Sequence, residues 1–223
     1  MKLVFLGPPG AGKGTMAELA DQRLGVAHLS SGDLLRAAVK GDDPVGREIA
    51  RIMQSGALVP DGLVTKLVLQ RLERMGPEQS FVLDGFPRTV EQAKGLDEAL
   101  AKFDRGEIDL AVDFEMSQPK VVSRLAGRRI CGGCGANYHL ETLRPKREGV
   151  CDRCGADLVV RADDRPETIV KRLNVYHQQT EPLLEFYRER GKLRPVSGEL
   201  AIEDQYRALA GLLEREGLVG HQR

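Results

Sequence analysis

The sequence predicts an α/β protein: a mostly parallel sheet with helices on both faces. Short apolar runs alternate with segments of helical period along most of the chain. The first apolar run ends in a glycine-rich turn that opens directly into a helical segment. One stretch stands apart, because four cysteines in two close pairs fall where periodicity of either kind fades.

The elements follow in order. Residues 2–6 turn apolar after Lys2 and stop at Gly7, as a buried strand does. Residues 14–24 are helical in pattern, and 26–29 read as a second strand. Ser30-Ser31-Gly32-Asp33 has the form of a capping box ahead of a helix over 34–39. Gly41-Asp42-Asp43-Pro44 reads as a turn, followed by a helix to about Gln54 and another over 62–75. A third strand, 81–83, ends at Asp84-Gly85. A helix over 89–103, a fourth strand over 110–116 and a helix opening at Pro119 come next. Residues 128–164 hold the cysteines. Residues 166–190 read as one long helix bent at Pro182. A last strand, 193–196, precedes an amphipathic helix over 203–216 that Gly217 ends.

Composition narrows the function. The 223 residues suit one α/β domain carrying small satellite modules. Basic and acidic residues balance at 33 each, so nothing global points to nucleic acid or an anionic membrane. Any anion site must be built locally. The apolar run at the start is too short for a secretion signal or a membrane span, and the expected location is the cytoplasm.

Gly7-Pro8-Pro9-Gly10-Ala11-Gly12-Lys13-Gly14-Thr15 lies between a strand and a helix. Glycines there let backbone N–H groups turn toward phosphate oxygens, the helix start adds its positive dipole end, and Lys13 supplies a point charge. This is the phosphate-binding loop pattern, and it makes the expected fold P-loop NTPase-like. One departure matters: the strict pattern has Ser or Thr after the lysine, and here Gly14 stands there with Thr15 one place later.

Two more clusters need a cation or an anion. Asp84 ends a buried run, where a carboxylate is costly unless it meets a cation such as Mg²⁺, held directly or through water. Arg88, in Asp84-Gly85-Phe86-Pro87-Arg88, is a fork suited to phosphate. Ser31 and Arg36 put a hydroxyl and a guanidinium at another helix start.

Cys131-x-x-Cys134 and Cys151-x-x-Cys154 are separated by 16 residues, and each pair is followed by glycine. That spacing predicts a closed tetrahedral four-thiolate site, structural rather than catalytic, for Zn²⁺ with iron as the alternative. His139 lies nearby as a substitute ligand.

GPPGAGKGT, SSGDLLR, LDGFPRT with Gln92, GRR and the later R-x-D-D…KR together resemble the adenylate kinase family, in its order and spacing over nearly the whole chain. The resemblance implies a core (1–29, 60–126 and 165–223), an AMP-binding arm (30–59) and a lid (127–164), and metal-binding cysteines in the lid of some bacterial members. It implies that Gly10, Ala11, Gly12, Lys13, Gly14 and Thr15 hold ATP phosphates. Ser31, Arg36, Ala57, Leu58, Val59, Gly85, Phe86, Pro87, Arg88 and Gln92 would surround AMP. Arg124 would flank the ATP base, with Arg128 at its phosphates and Asn137 and Tyr138 on the lid near ATP. Arg161 and Arg172 would clamp the phosphates, Asp163 and Asp164 would orient the closed lid, and the stretch 198–200, with Leu200, would touch the base through backbone. Catalysis would rest on Lys13, Asp84, Arg88, Arg128, Arg161 and Arg172, with Mg²⁺ entering on ATP. The partners expected are ATP, AMP and ADP, without nucleic acid or membrane, and the expected state is a monomer. A UMP/CMP acceptor, a GTP donor and a zinc-ribbon nucleic-acid binder are the rival readings.

Overall fold

A computed structural model describes residues 1–39 and 44–220; the turn expected at 41–44 lies, except for Pro44, outside the described residues. In the first strand, β1 (Lys2–Leu6), Leu3 and Phe5 enter one buried cluster and Val4 and Leu6 another. A strand that is apolar on both sides needs cover on both sides. The same split holds in β3 (Phe81–Asp84), with Phe81 and Leu83 on one face and Val82 on the other, and in β4 (Leu110–Glu115).

With β2 (Ala27–Ser30) and β8 (Leu193–Ser197) these strands form a five-stranded, all-parallel sheet in the order β2-β3-β1-β4-β8. Pro195 is tolerated in β8 because that strand is an edge. Helices α1 (Lys13–Leu24) and α9 (Ile202–Arg215) cover the face of Leu3 and Phe5. The opposite face is covered by α4 (Asp61–Glu73), α5 (Val90–Lys102) and α8 (Pro182–Arg188). The chain runs to one side of β1 for β2 and β3 and to the other for β4 and β8. That switch leaves a crevice at the carboxyl end of β1.

Two pieces project over this crevice. One is α2 (Ser31–Val39) with α3 (Pro44–Gln54). Helix α2 starts three residues earlier than the sequence pattern suggested, because Ser30 Oγ caps it by accepting the Asp33 N–H at 3.1 Å. The other follows α6 (Gln118–Gly127): a small antiparallel sheet of β5 (Arg128–Cys131), β6 (Asn137–His139) and β7 (Leu158–Val159).

The long helix expected over 166–190 is three pieces. Helix α7 (Pro166–Val175) passes into a π turn (Tyr176–Thr180) before α8. Pro182 has no N–H to offer the carbonyl four residues back, and its ring crowds that carbonyl. The Glu181 N–H bonds Tyr176 O instead, at 2.9 Å, and the coil widens there.

Candidate active site

The crevice is a cleft of about 640 Å³ bordered by the main sheet, by α2 and by the small β5–β6–β7 sheet. Gly10, Gly12, Lys13, Gly14 and Thr15 form its floor. Lys13 opens α1 and donates from Nζ to the carbonyls of Gly7 at 2.6 Å and Pro8 at 2.8 Å. Burial brings its ammonium down to about 8; Asp84 opposes that shift, and Arg88, Arg172 and Arg128 reinforce it. An anion at this point would reverse the effect of those like charges. Below the floor Gln205 of α9, almost fully buried, donates to Ala11 O at 3.1 Å.

The geometry accounts for Gly14. A Cβ at that position would lie 3.1 Å from Asp84 Oδ2, so the usual hydroxyl residue would crowd the carboxylate that ends β3. Burial raises the Asp84 carboxyl, but His28, Lys13 and Arg88 outweigh it and hold the group below its ordinary range. His28 Nε2 is 3.3 Å from Asp84 Oδ2.

Four arginines converge from four stretches of the chain: Arg88 after β3, Arg128 in β5, Arg161 after β7 and Arg172 in α7. Arg128 meets Asp164 in a fork, at 2.7 Å from Nε and 2.5 Å from Nη2, and Arg172 joins the same carboxylate at 2.8 Å. Arg161 forks onto Asp163 at 2.9 and 2.7 Å. Asp164 has no exposed side-chain surface. Burial raises the Asp163 carboxyl, yet Arg161 and Arg172 pull it down to about 2. Burial, with Arg161 and Arg172 beside it, lowers Arg128 to about 10 despite Asp164. Arg88 donates from Nε to Gly85 O at 2.8 Å, and burial lowers it too. Ser31 Oγ donates to the same carbonyl at 2.7 Å.

On the arm, Arg36 pairs with Asp33 at 2.6 Å, and Ala57, Leu58 and Val59 line the cleft beside Gln92. Arg124 donates to Leu200 O at 3.1 Å, which brings those two together at the opposite end. Asn137 borders the cleft. Tyr138 turns its side chain into the lid: its hydroxyl accepts the Asp152 N–H at 2.8 Å and lies 3.5 Å from Cys151 Sγ. Pro87 lines the cleft, while Phe86, joined to it by a cis peptide, is fully buried in the core beneath α5. Ala11 is also fully buried and does not line the cleft: its N–H donates to Pro8 O at 3.2 Å and its carbonyl accepts from Gln205.

The thiol sulfurs of Cys131, Cys134, Cys151 and Cys154 all lie within 4.8 Å of one another. Cys131 and Cys154 are 3.3 Å apart, and Cys134 and Cys151 3.6 Å. A tetrahedral zinc–thiolate site has edges of about 3.8 Å, so the four sulfurs fit such an ion after a slight spread. Backbone N–H groups of Cys134 and Arg153 point at the sulfurs of Cys131 and Cys151, each at 3.4 Å, as thiolate ligands require. His139 is not part of this cluster: Nδ1 accepts from the N–H groups of Glu141 and Thr142, and Nε2 is buried against Gly127 without a hydrogen-bond partner among the described residues.

Sequence reasoning missed His28, Asp61 and Gln205. Asp61 accepts from Gln92 and from Thr89. None sits in a motif; each matters only because a distant segment folds against it.

Comparisons with known proteins agree. A family model described as adenylate kinase matches residues 5–192. A protein named adenylate kinase from Agathobacter rectalis is 46% identical over 213 residues, spanning 96% of this chain and 99% of its own. One of the same name from Moorella thermoacetica is 46% identical over 217 residues, spanning 97% and 99%. Another from Thermosipho melanesiensis is 44% identical over 215 residues, spanning 96% and 100%.

Proposed function

The chain belongs to the adenylate kinase family, and from that premise we propose how its cleft exchanges ATP and AMP for two ADP. It is a nucleoside monophosphate kinase, a phosphotransferase. One observation carries the mechanism: among the described residues Lys13, Arg36, Arg88, Arg124, Arg128, Arg161 and Arg172 line one cleft, against the carboxylates of Asp33, Asp84 and Asp163 and the buried Asp164 behind them. Such an excess of cations calls for anions, and two polyphosphates supply them.

The donor's phosphates lie on the glycine-rich loop with Lys13 at the outer ones, and its base lies near Arg124 and Leu200. The acceptor's phosphate meets Arg36 and Arg88, and its base lies against Ala57, Leu58, Val59 and Gln92. An oxygen of the AMP phosphate attacks the terminal phosphorus of ATP. As that O–P bond forms, the bond to the bridging oxygen breaks and ADP leaves. No protein nucleophile is needed. Charge spreads over the transferred oxygens in a loose transition state, so positioning and electrostatics do most of the work. Asp163 and Asp164 keep Arg128, Arg161 and Arg172 oriented before the nucleotides arrive.

Mg²⁺ entering with ATP fits the ionised oxygen donor at Asp84 and supplies charge neutralisation on the donor phosphates. The lid (127–164) and arm (30–59) close over the core (1–29, 60–126, 165–223) and exclude water, which would otherwise take the phosphoryl group. Zinc, with iron as the alternative, holds the lid through Cys131, Cys134, Cys151 and Cys154.

We expect ADP to form from ATP and AMP faster than products form from UMP or CMP, or with GTP as donor; faster UMP or CMP turnover would overturn the acceptor assignment. Arg88→Lys keeps the charge and loses the fork, so kcat should fall by about 10² or more with the melting temperature little changed. Metal analysis of the purified protein identifies the lid ion.

The oligomeric proposal is a monomer, since the site is complete within one chain; a stable dimer by light scattering would refute it. No described helix is long and apolar enough to cross a membrane. A cytoplasmic location remains our proposal, checked by cell fractionation.

A further inference from the structure

The side-chain amide of Gln92 is held at both ends. Its Oε1 accepts the backbone N–H of Arg88 at 2.7 Å, and its Nε2 donates to Asp61 Oδ1 at 2.8 Å. The other oxygen of Asp61 accepts from the Thr89 hydroxyl at 2.6 Å. That hydroxyl caps α5 by accepting the Gln92 N–H at 3.2 Å. Asp61 itself begins α4, two residues after Val59.

The partners dictate which way the amide faces. A carboxylate only accepts and a backbone N–H only donates. Turning the amide over would set oxygen against carboxylate and NH₂ against N–H, losing two hydrogen bonds and creating two repulsions. In the orientation observed, one lone pair on Oε1 and one hydrogen on Nε2 remain spare. Gln92 is nearly buried yet borders the cleft, so the cleft is where they can act.

That spare pair is a donor beside an acceptor. Adenine offers the complement along one edge, an acceptor at N1 and a donor at N6. Hypoxanthine and guanine offer the reverse, a donor at N1 and an acceptor at O6, and would need the amide turned over. We propose that Asp61 is a positioning residue that sets the acceptor-base preference by locking the Gln92 amide in its adenine-reading orientation. The inference rests on the reading that Gln92 faces the acceptor base. Asp61 need not touch the substrate.

The test measures kcat and KM for AMP, and the inhibition constant of inosine monophosphate against AMP, in the wild type, Asp61→Ala, Asp61→Asn and Gln92→Ala. Asp61→Ala should raise the AMP KM about tenfold, roughly the value of one hydrogen bond, while kcat stays within about threefold. The preference for AMP over inosine monophosphate should fall by about tenfold as well, because turning the amide over then costs only the Arg88 bond. Asp61→Asn still presents an oxygen to Gln92 and should keep the preference within about threefold.

If Asp61→Ala weakens both nucleotides alike and leaves their ratio unchanged, Asp61 is scaffolding and the proposal fails. Gln92→Ala separates the two readings. A ratio unmoved by Gln92→Ala overturns the placement of the base at Gln92. A ratio moved by Gln92→Ala but not by Asp61→Ala overturns the lock alone. Should Asp61→Ala not fold, Asp61→Ser, too short to reach Gln92 and compatible with a helix start, takes its place with the same expected ratio.

Discussion

Asp113 shows what a single side chain can cost. It sits on β4 opposite Leu6 and Pro195 and is nearly buried, with no ion pair among the described residues. Burial, reinforced by Glu115, brings its carboxyl up to about 6, and Lys13 and Arg188 offset only part of that. A raised carboxyl means the folded state holds its proton more tightly than the unfolded chain does. Below about pH 4 both states are protonated and the residue is neutral in effect. Between about pH 4 and 6 the unfolded chain ionises first, so stability falls as pH rises, and the full penalty stands above about 6. Asp113→Asn should therefore stabilise the protein at pH 7.5 by on the order of 1 kcal/mol, allowing for residual solvent screening, and by nothing measurable near pH 4. Urea denaturation at the two pH values checks this. Equal gains at both would mean that packing, not charge, separates the variants.

At the scale of elements, the glycine-rich loop shows where backbone geometry decides. Gly7 has φ of 126°, and a Cβ there would stand 2.6 Å from Phe114 O, a main-chain atom of β4 that cannot rotate away. Gly7→Ala should cost at least about 2 kcal/mol in denaturant unfolding, from left-handed strain plus the displaced strand. A cost under about 0.5 kcal/mol would show that the loop yields freely. Such loop positions were legible in the sequence because strand, glycines, lysine and helix follow one another locally. So was the sheet, since its strands are apolar on both faces. The π turn at Tyr176–Thr180 was not, because it is the structure's answer to Pro182, where a smooth bend fitted the pattern equally well. The lid strands β5, β6 and β7 are two to four residues long, too short for any periodicity to show. The charged motifs led to the cations that gather in the cleft. The supports beneath it, Asp61 under Gln92 and Gln205 under Ala11, depend on contacts across 31 and 194 residues and leave no local trace.

For the molecule as a whole, the question is what holds the lid together. The core has two large clusters astride its sheet, whereas the lid's buried cluster is Cys131, Ala136, Tyr138 and Cys151, with Ala156 and Leu158 against it. Two of those four are cysteines of the four-sulfur cluster, so apolar burial alone gives the lid little to fold around. A four-thiolate ion would supply folding free energy on the order of 10 kcal/mol, enough to make lid structure conditional on metal. Its ties to the core include the Arg172 pairs with Asp163 and Asp164, which sit at its C-terminal hinge and not on its strands, and Arg153 to Glu18 at 2.6 Å, a surface pair worth about 1 kcal/mol or less. Chelation should therefore release the lid while the sheet stays folded. In hydrogen exchange, amides of β5 and β6 should lose protection on metal removal, and those of β1 and β4 should keep theirs. Activity should fall with the lid, because Arg128 opens β5 and Arg161 lies just past β7. AMP affinity, which the proposed function assigns to the arm and the loop after β3, should change by less than about threefold. Loss of protection in β1 and β4 together with β5 would mean that lid and core form one cooperative unit, and the conditional lid would have to be abandoned.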